Sequence, residues 1–148
     1  MRDFELATHL PVPVQAVFDA SLSIDAHLGS MRFSRERAIA GVTSGRIGLG
    51  EPVTWRAWHF GVPFTMTSII SELEEPRRFV DRQLSGPFGA FRHEHLFLEA
   101  GGGTRMIDRI ELASPLAGAV VEPVLLVPYL RRLIRVRNRF LLRSLLAG

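Results

Sequence analysis

From Pro52 to Leu112 the chain repeats one pattern: short stretches in which apolar and polar residues alternate, separated by small clusters of turn-forming residues. Alternation at a period of two gives each stretch one apolar and one polar face, as in half-buried strands. Five such segments follow one another: Val53–Phe60, Phe64–Leu73, Arg78–Leu84, Phe91–Leu98 and Thr104–Leu112. Gly61–Pro63, Glu74–Pro76, Gly86-Pro87-Phe88-Gly89 and Gly101-Gly102-Gly103 stand between them. A parallel crossover needs about a dozen residues or more, so connections this short predict antiparallel pairing.

The flanks complete the architecture. Phe4–Leu10 reads as a strand ended by Pro11 and Pro13. Val14–Ala20 reads as a short helix and Ile24–Leu28 as a second helical turn, with a weak strand at Ala38–Val42. After Ser114-Pro115 the period becomes helical over Ala117–Leu146, where Pro123 and Pro128 predict a kinked or divided helix. The expectation is an α+β fold: a curved antiparallel sheet of about seven strands, two short helices after the first strand, and one long C-terminal helix. The sheet must cover its apolar face, and only that helix is long enough to do it. A sheet gripping one helix tends to leave an interior cavity.

Composition narrows the chemistry. At 148 residues and 47% apolar content, one domain over 1–148 is expected. The absence of cysteine excludes disulfides, thiolate nucleophiles, Cys-ligated zinc and iron–sulfur clusters. All 18 basic residues are arginine, so Schiff-base chemistry on lysine is excluded too, and the net charge is only +3. Gly41, Gly45, Gly48 and Gly50 do not open a helix after a strong strand, which argues against a phosphate cradle. Arg131, Arg132, Arg135, Arg139 and Arg143 share one side of the last helix and read as its solvated side, so no nucleic-acid partner is expected. The charged start Met1-Arg2-Asp3-Phe4-Glu5 is unlike a signal peptide, and no uncharged apolar run reaches the roughly 18 residues of a membrane span. A cytoplasmic protein without integral membrane association is the resulting expectation. A homodimer is left open.

The order and spacing of four stretches carry a resemblance: LPVPVQAVFDA (10–20), GEPVTWRAWHFG (50–61), PRRFVDRQLSGPFGAFRHEHLF (76–97) and GGGTRMIDRIELASPLAG (101–118). Together they resemble the START/SRPBCC superfamily, in its branch of polyketide cyclase/dehydrase-like and lipid-transport-like proteins. The resemblance implies a helix-grip fold with a hydrophobic internal cavity. It also implies functions that range from ligand carriage to cyclisation or dehydration of polyketides.

Strand alternation assigns the cavity side. Thr104, Met106, Asp108, Ile110 and Leu112 share one face of their strand, taken as inner, which sets Asp108 among apolar neighbours. Phe91, His93, His95 and Phe97 form the aromatic face of theirs, and Val53, Trp55, Ala57 and His59 face inward opposite Arg56. The candidate ligand-binding set is Trp55, His59, Met66, Ile70, Phe88, Phe91, His93, His95, Phe97, Met106, Asp108, Ile110 and Arg137. The expected ligand is a small hydrophobic or amphipathic molecule, lipid-like or polyketide-like. The alternative is a cyclase/dehydrase-type enzyme using His93 or Asp108 as a general base. A third reading is a regulator with an exposed apolar patch around Trp58 and Phe60. No nucleophile–base–orienter set is legible, so catalysis stays open. His93 and His95, even with His59, lack a clear third and fourth ligand, so neither a metal nor another cofactor is expected. Winding Tyr129–Leu146 at 100° per residue sets Arg137 in the arc of Leu130, Leu133, Ile134, Phe140, Leu141 and Leu145. A buried guanidinium needs a partner, and Asp108 is the charged residue on the inner face of the last strand, so an Arg137–Asp108 pair is predicted.

Overall fold

The computed structural model describes residues 2–114 and 125–147. Seven strands run β1 (Arg2–Leu10), β2 (Arg37–Gly41), β3 (Pro52–His59), β4 (Val62–Glu74), β5 (Arg78–Ser85), β6 (Ala90–Ala100) and β7 (Gly103–Ala113). They form one sheet in the order β1-β7-β6-β5-β4-β3-β2, with every pairing antiparallel. From β2 to β7 each strand therefore lies beside its predecessor, as the short connections require. β1 closes the far edge by pairing with β7 from Arg2↔Leu112 to Leu10↔Thr104. Register shifts at Thr67/Ser68 and Ile70/Glu72 in β4 interrupt the ladder with β5. Such bulges bend and twist a strand, which suits a sheet that curves around a helix.

Among the described residues three helices lie against the sheet: α1 (Val14–Ser21), α2 (Ile24–Ser30) and α3 (Val127–Ala147), with a 3-10 turn at Arg32–Ser34. α1 starts just after Pro13, whose fixed φ suits a helix entrance, and it buries Val17 and Phe18. α2 is capped by Ser23, whose hydroxyl accepts from the Ala26 N–H at 3.1 Å. α2 meets α3 at Gly29. A Cβ there would lie 2.7 Å from Phe140 Cζ, so any larger residue would have to displace that ring.

Pro128 follows a π turn at Leu125–Leu126, a local widening of the kind that accompanies a proline within a helical run, as the expected interruption implies. The helix then runs unbroken to Ala147. The helical reading of residues 117–124, including Pro123, lies outside the described residues.

The core has two parts. Phe18 makes edge-on contacts with Phe79 and Phe97, at centroid separations of 5.9 and 5.3 Å, and Leu10, Val17 and Met106 pack around them. Phe4, Ile110, Leu112 and Ile134 form a second cluster between the β1–β7 edge and α3. The arginines at 132, 135, 139 and 143 face outward on α3, and the Arg131 guanidinium covers the Phe4 ring at 5.0 Å. Trp58 and Phe60 are exposed, at 42% and 57%. No helix among the described residues is long and apolar enough to cross a membrane.

Candidate functional site

β3, β4, β5 and β6, together with α2 and the first half of α3, enclose a cavity of about 520 Å³. That is the size range of small-molecule sites. Strand alternation supplies its wall. Trp55, Ala57 and His59 come from β3, Phe64, Met66, Ser68 and Ile70 from β4, and Phe91, His93 and His95 from β6. Phe88 joins from the β5–β6 connection, where Gln83 anchors it by donating to the Phe88 carbonyl at 2.9 Å and accepting from its N–H at 3.2 Å. α3 contributes Tyr129, Leu130, Leu133, Ile134 and Arg137.

Four residues expected on the wall stand behind it. Phe97 and Met106 fill the core under α1, and Ile110 packs with Phe4 and Ile134. All three face inward as alternation requires, but neighbouring side chains cover them. Asp108 is also wholly buried and reaches the cavity only through its partners.

Those partners form one network. Arg137 Nη2 donates to Asp108 Oδ1 at 2.5 Å, and its Nε donates to Asn138 Oδ1 at 2.9 Å. Asn138 Nδ2 donates to Asp108 Oδ2 at 2.9 Å and to Thr8 Oγ1 at 3.0 Å. His93 Nε2 lies 2.8 Å from Asp108 Oδ1. Both carboxylate oxygens are thus satisfied without water. Burial alone would raise the Asp108 pKa, but the Arg137 charge and the His93 contact hold it far below the carboxylate range. The predicted Arg137–Asp108 pair is present, and Asn138 completes it.

A second carboxylate, Asp81 of β5, enters beside this network. His95 Nε2 lies 2.6 Å from Asp81 Oδ2, the His95 ring stacks on Phe79 at 4.0 Å, and the His93 and His95 rings stack at 3.6 Å. Burial, reinforced by His93, lowers the His95 pKa to about 4 against the opposing pull of Asp81, so the imidazole is neutral at pH 7. Burial would raise the Asp81 pKa, but contact with His95 more than offsets it and the net shift is downward. Asp81 was not among the residues proposed from the sequence. Its signal was parity: Phe79, Asp81 and Gln83 share one face of β5, and the bulky Phe79 marks that face as inner.

At the start of α3 the Tyr129 hydroxyl lies 2.6 Å from His59 Nδ1, and the Tyr129 ring meets Phe60 at 4.5 Å. Burial lowers the His59 pKa more than Glu36 raises it, and burial raises the Tyr129 phenol. Phe60 holds φ 54° ahead of Gly61 at φ 73° in the two-residue β3–β4 turn. This left-handed pair suits a hairpin but strains a phenylalanine, and it lays the ring against the cavity's end. α1 and α2 add Ser21, Ile24, His27 and Met31 to the lining, none of them proposed from the sequence.

Asp81, His93 and His95 could offer donor atoms within 4.8 Å of one another. Their arrangement suits hydrogen bonding better than a metal. Both Nε2 atoms already meet carboxylates, and the ring planes differ by only 18° at a 3.6 Å separation. In-plane lone pairs of rings stacked this way run nearly parallel and do not converge on a point about 2.0–2.1 Å from both nitrogens. Elemental analysis of protein purified without a metal-affinity step is expected to find well under one equivalent of zinc, iron or copper. A stoichiometric metal that disappears when both histidines are replaced would overturn this.

No protein-family model matches the sequence, and no curated protein does. Solved structures do. The Zhui aromatase/cyclase from Streptomyces sp. R1128 superposes with a TM-score of 0.76 at 16% identity, over 97% of this chain and 92% of the other. Ara h 8.0201 gives 0.75 at 14% identity, over 99% of each chain. Major latex-like protein 151 of Panax ginseng gives 0.64 at 14% identity, over 93% of this chain and 95% of the other. The chain has the helix-grip fold. That is the fold the sequence motifs implied. In this helix-grip chain the helix is fastened to the sheet by the Arg137–Asp108–Asn138 cluster, and the cavity opens beside that fastening.

Proposed function

We propose that this protein binds a small hydrophobic or amphipathic molecule in the cavity between the sheet and α3. The observation that carries the proposal is the wall itself: about 520 Å³ framed by Trp55, Phe64, Met66, Ile70, Phe91 and Leu133, with polar groups confined to a few places. Covering apolar ligand surface against such a wall gains roughly 25 cal/mol per Å² before the costs of association. Pyrene and naphthalene probes, followed by fluorescence, are expected to bind saturably at one site per chain. Leu133→Trp, which adds volume from a half-buried helix position, is expected to abolish that binding while leaving the fold's denaturation midpoint nearly unchanged. The absence of saturable binding by any apolar probe would overturn the proposal.

One observation favours a second reading. His93 lines the cavity with its Nε2 against the buried Asp108, the arrangement of a general base and its orienting carboxylate. One structure with this fold is named an aromatase/cyclase. In this reading His93 would be the base; Asp108, sealed from the cavity and doubly paired, could only orient it. A native ligand recovered by mass spectrometry and converted by the wild type, but not by His93→Gln, would establish catalysis. An unchanged ligand would leave binding alone.

A further inference from the structure

The cavity's polar patch bears an imbalance that identifies the kind of head group it accepts. Asp81 stands on the cavity wall and Asp108 behind it, and the partners they have are unequal; the other carboxylate of the lining, Glu36, is paired with His27. Asp108 has the Arg137 guanidinium, the Asn138 amide and His93. Asp81, among the described residues, receives a hydrogen bond only from His95, and only at Oδ2. The Asp81 side chain is 24% exposed and lines the cavity, so Oδ1 is left with acceptor capacity beside the apolar wall. Arg137 also reaches the wall, but its charge is matched by Asp108 at 2.5 Å. No guanidinium touches Asp81 among the described residues; Arg137 acts on it only from a distance, and the one contact of Asp81 is the His95 imidazole. A carboxylate on a mostly apolar wall strengthens any donor brought to it and repels any anion, because the local dielectric is low.

Resting on the binding function above, we infer that the ligand is an apolar molecule whose polar end donates a hydrogen bond to Asp81, an ammonium in preference to a hydroxyl and either in preference to a carboxylate. The Asp81–His95 contact fixes the direction of the carboxylate, and the stack of Phe79, His95 and His93 fixes the imidazole, so the acceptor is in place before the ligand arrives. Pre-positioning of this kind gives specificity between head groups carried on one apolar body.

The test uses the whole chain at pH 7 and three probes with a common body: 2-(1-naphthyl)ethylamine, 2-(1-naphthyl)ethanol and 1-naphthaleneacetate. Calorimetric titration is expected to rank the amine first, about tenfold or more tighter than the acetate, with the alcohol between, as a charge-assisted contact implies. Asp81→Asn keeps the side chain's size and hydrogen-bonding reach and removes its charge. It is expected to weaken the amine by about tenfold and bring the three probes level. An acetate that binds as tightly as the amine, or an order unaltered in Asp81→Asn, would overturn the assignment while leaving the cavity's binding function standing. If none of the three binds saturably, and pyrene does not either, it is the binding function that fails. The wild-type ranking alone decides the inference should Asp81→Asn not fold.

Discussion

Replacing Arg137 by Met is expected to destabilise the protein by about 3–5 kcal/mol, the cost of stranding a buried charge. Asp108 is wholly buried, and removal of the guanidinium leaves its carboxylate with the Asn138 amide and His93 alone. Asp108→Leu is expected to cost a similar amount, because Arg137, 7% exposed, would keep only its contact to Asn138. The double variant should cost less than the sum of the two by on the order of 2 kcal/mol, within the range of couplings between contacting residues. An apolar pair of similar volume leaves no orphaned charge, and buried ion pairs exchanged for apolar groups are often neutral in stability. Denaturant titrations of the four proteins give the cycle. Strictly additive losses would show that the two side chains do not act as a pair. Because Arg137 also lines the cavity, the single variant should loosen probe binding as well as the fold.

This pair is legible in the sequence itself, for a physical reason. A charge placed among apolar residues at helical spacing stands out because it is expensive, and a lone aspartate on an apolar strand face stands out in the same way. The strand order followed from turn chemistry, and the inward histidines followed from period two. Residues whose positions depend on packing between distant elements were not legible. α1 and α2 bring Ser21, Ile24, His27 and Met31 to the cavity through docking that no local pattern encodes. Phe97, Met106 and Ile110 have the right parity but lie under α1 or α3, and parity separates inside from outside without separating wall from core. Asp81 sits in a strand with Arg78 and Arg82, whose charges mask the inward set led by Phe79.

Stability is expected to fall as the pH drops from neutrality toward 4, earlier than carboxylate protonation alone would bring about. His95 is the cause. Its folded pKa lies at about 4, below the ordinary histidine value of 6.5, because burial and His93 oppose its charging. Between those two values the unfolded chain binds a proton that the folded chain refuses, so unfolding is favoured progressively as pH falls through the window. The full stability is present above 6.5. The loss is complete near 4 and amounts to about 3 kcal/mol at 1.36 kcal/mol per pKa unit. His59, also shifted down by burial, adds a smaller term of the same sign. Asp81 and Asp108, whose pKa values are lowered, contribute only as the pH falls through the ordinary carboxylate range and beyond it, where the unfolded chain's carboxylates take up protons first. Urea denaturation from pH 7.5 to 4.5 isolates the histidine part when the wild type is compared with His95→Gln. Gln keeps a donor for Asp81 Oδ2 and does not titrate, so the variant should be less stable at pH 7.5 yet show a distinctly shallower decline. A variant whose stability tracks the wild type in parallel across the window would remove His95 as the source. The same buried imidazole that makes the fold acid-sensitive holds Asp81 in place on the cavity wall, and charging it sets a cation beside that carboxylate, so binding of the amine probe by the wild type should weaken over the same pH interval.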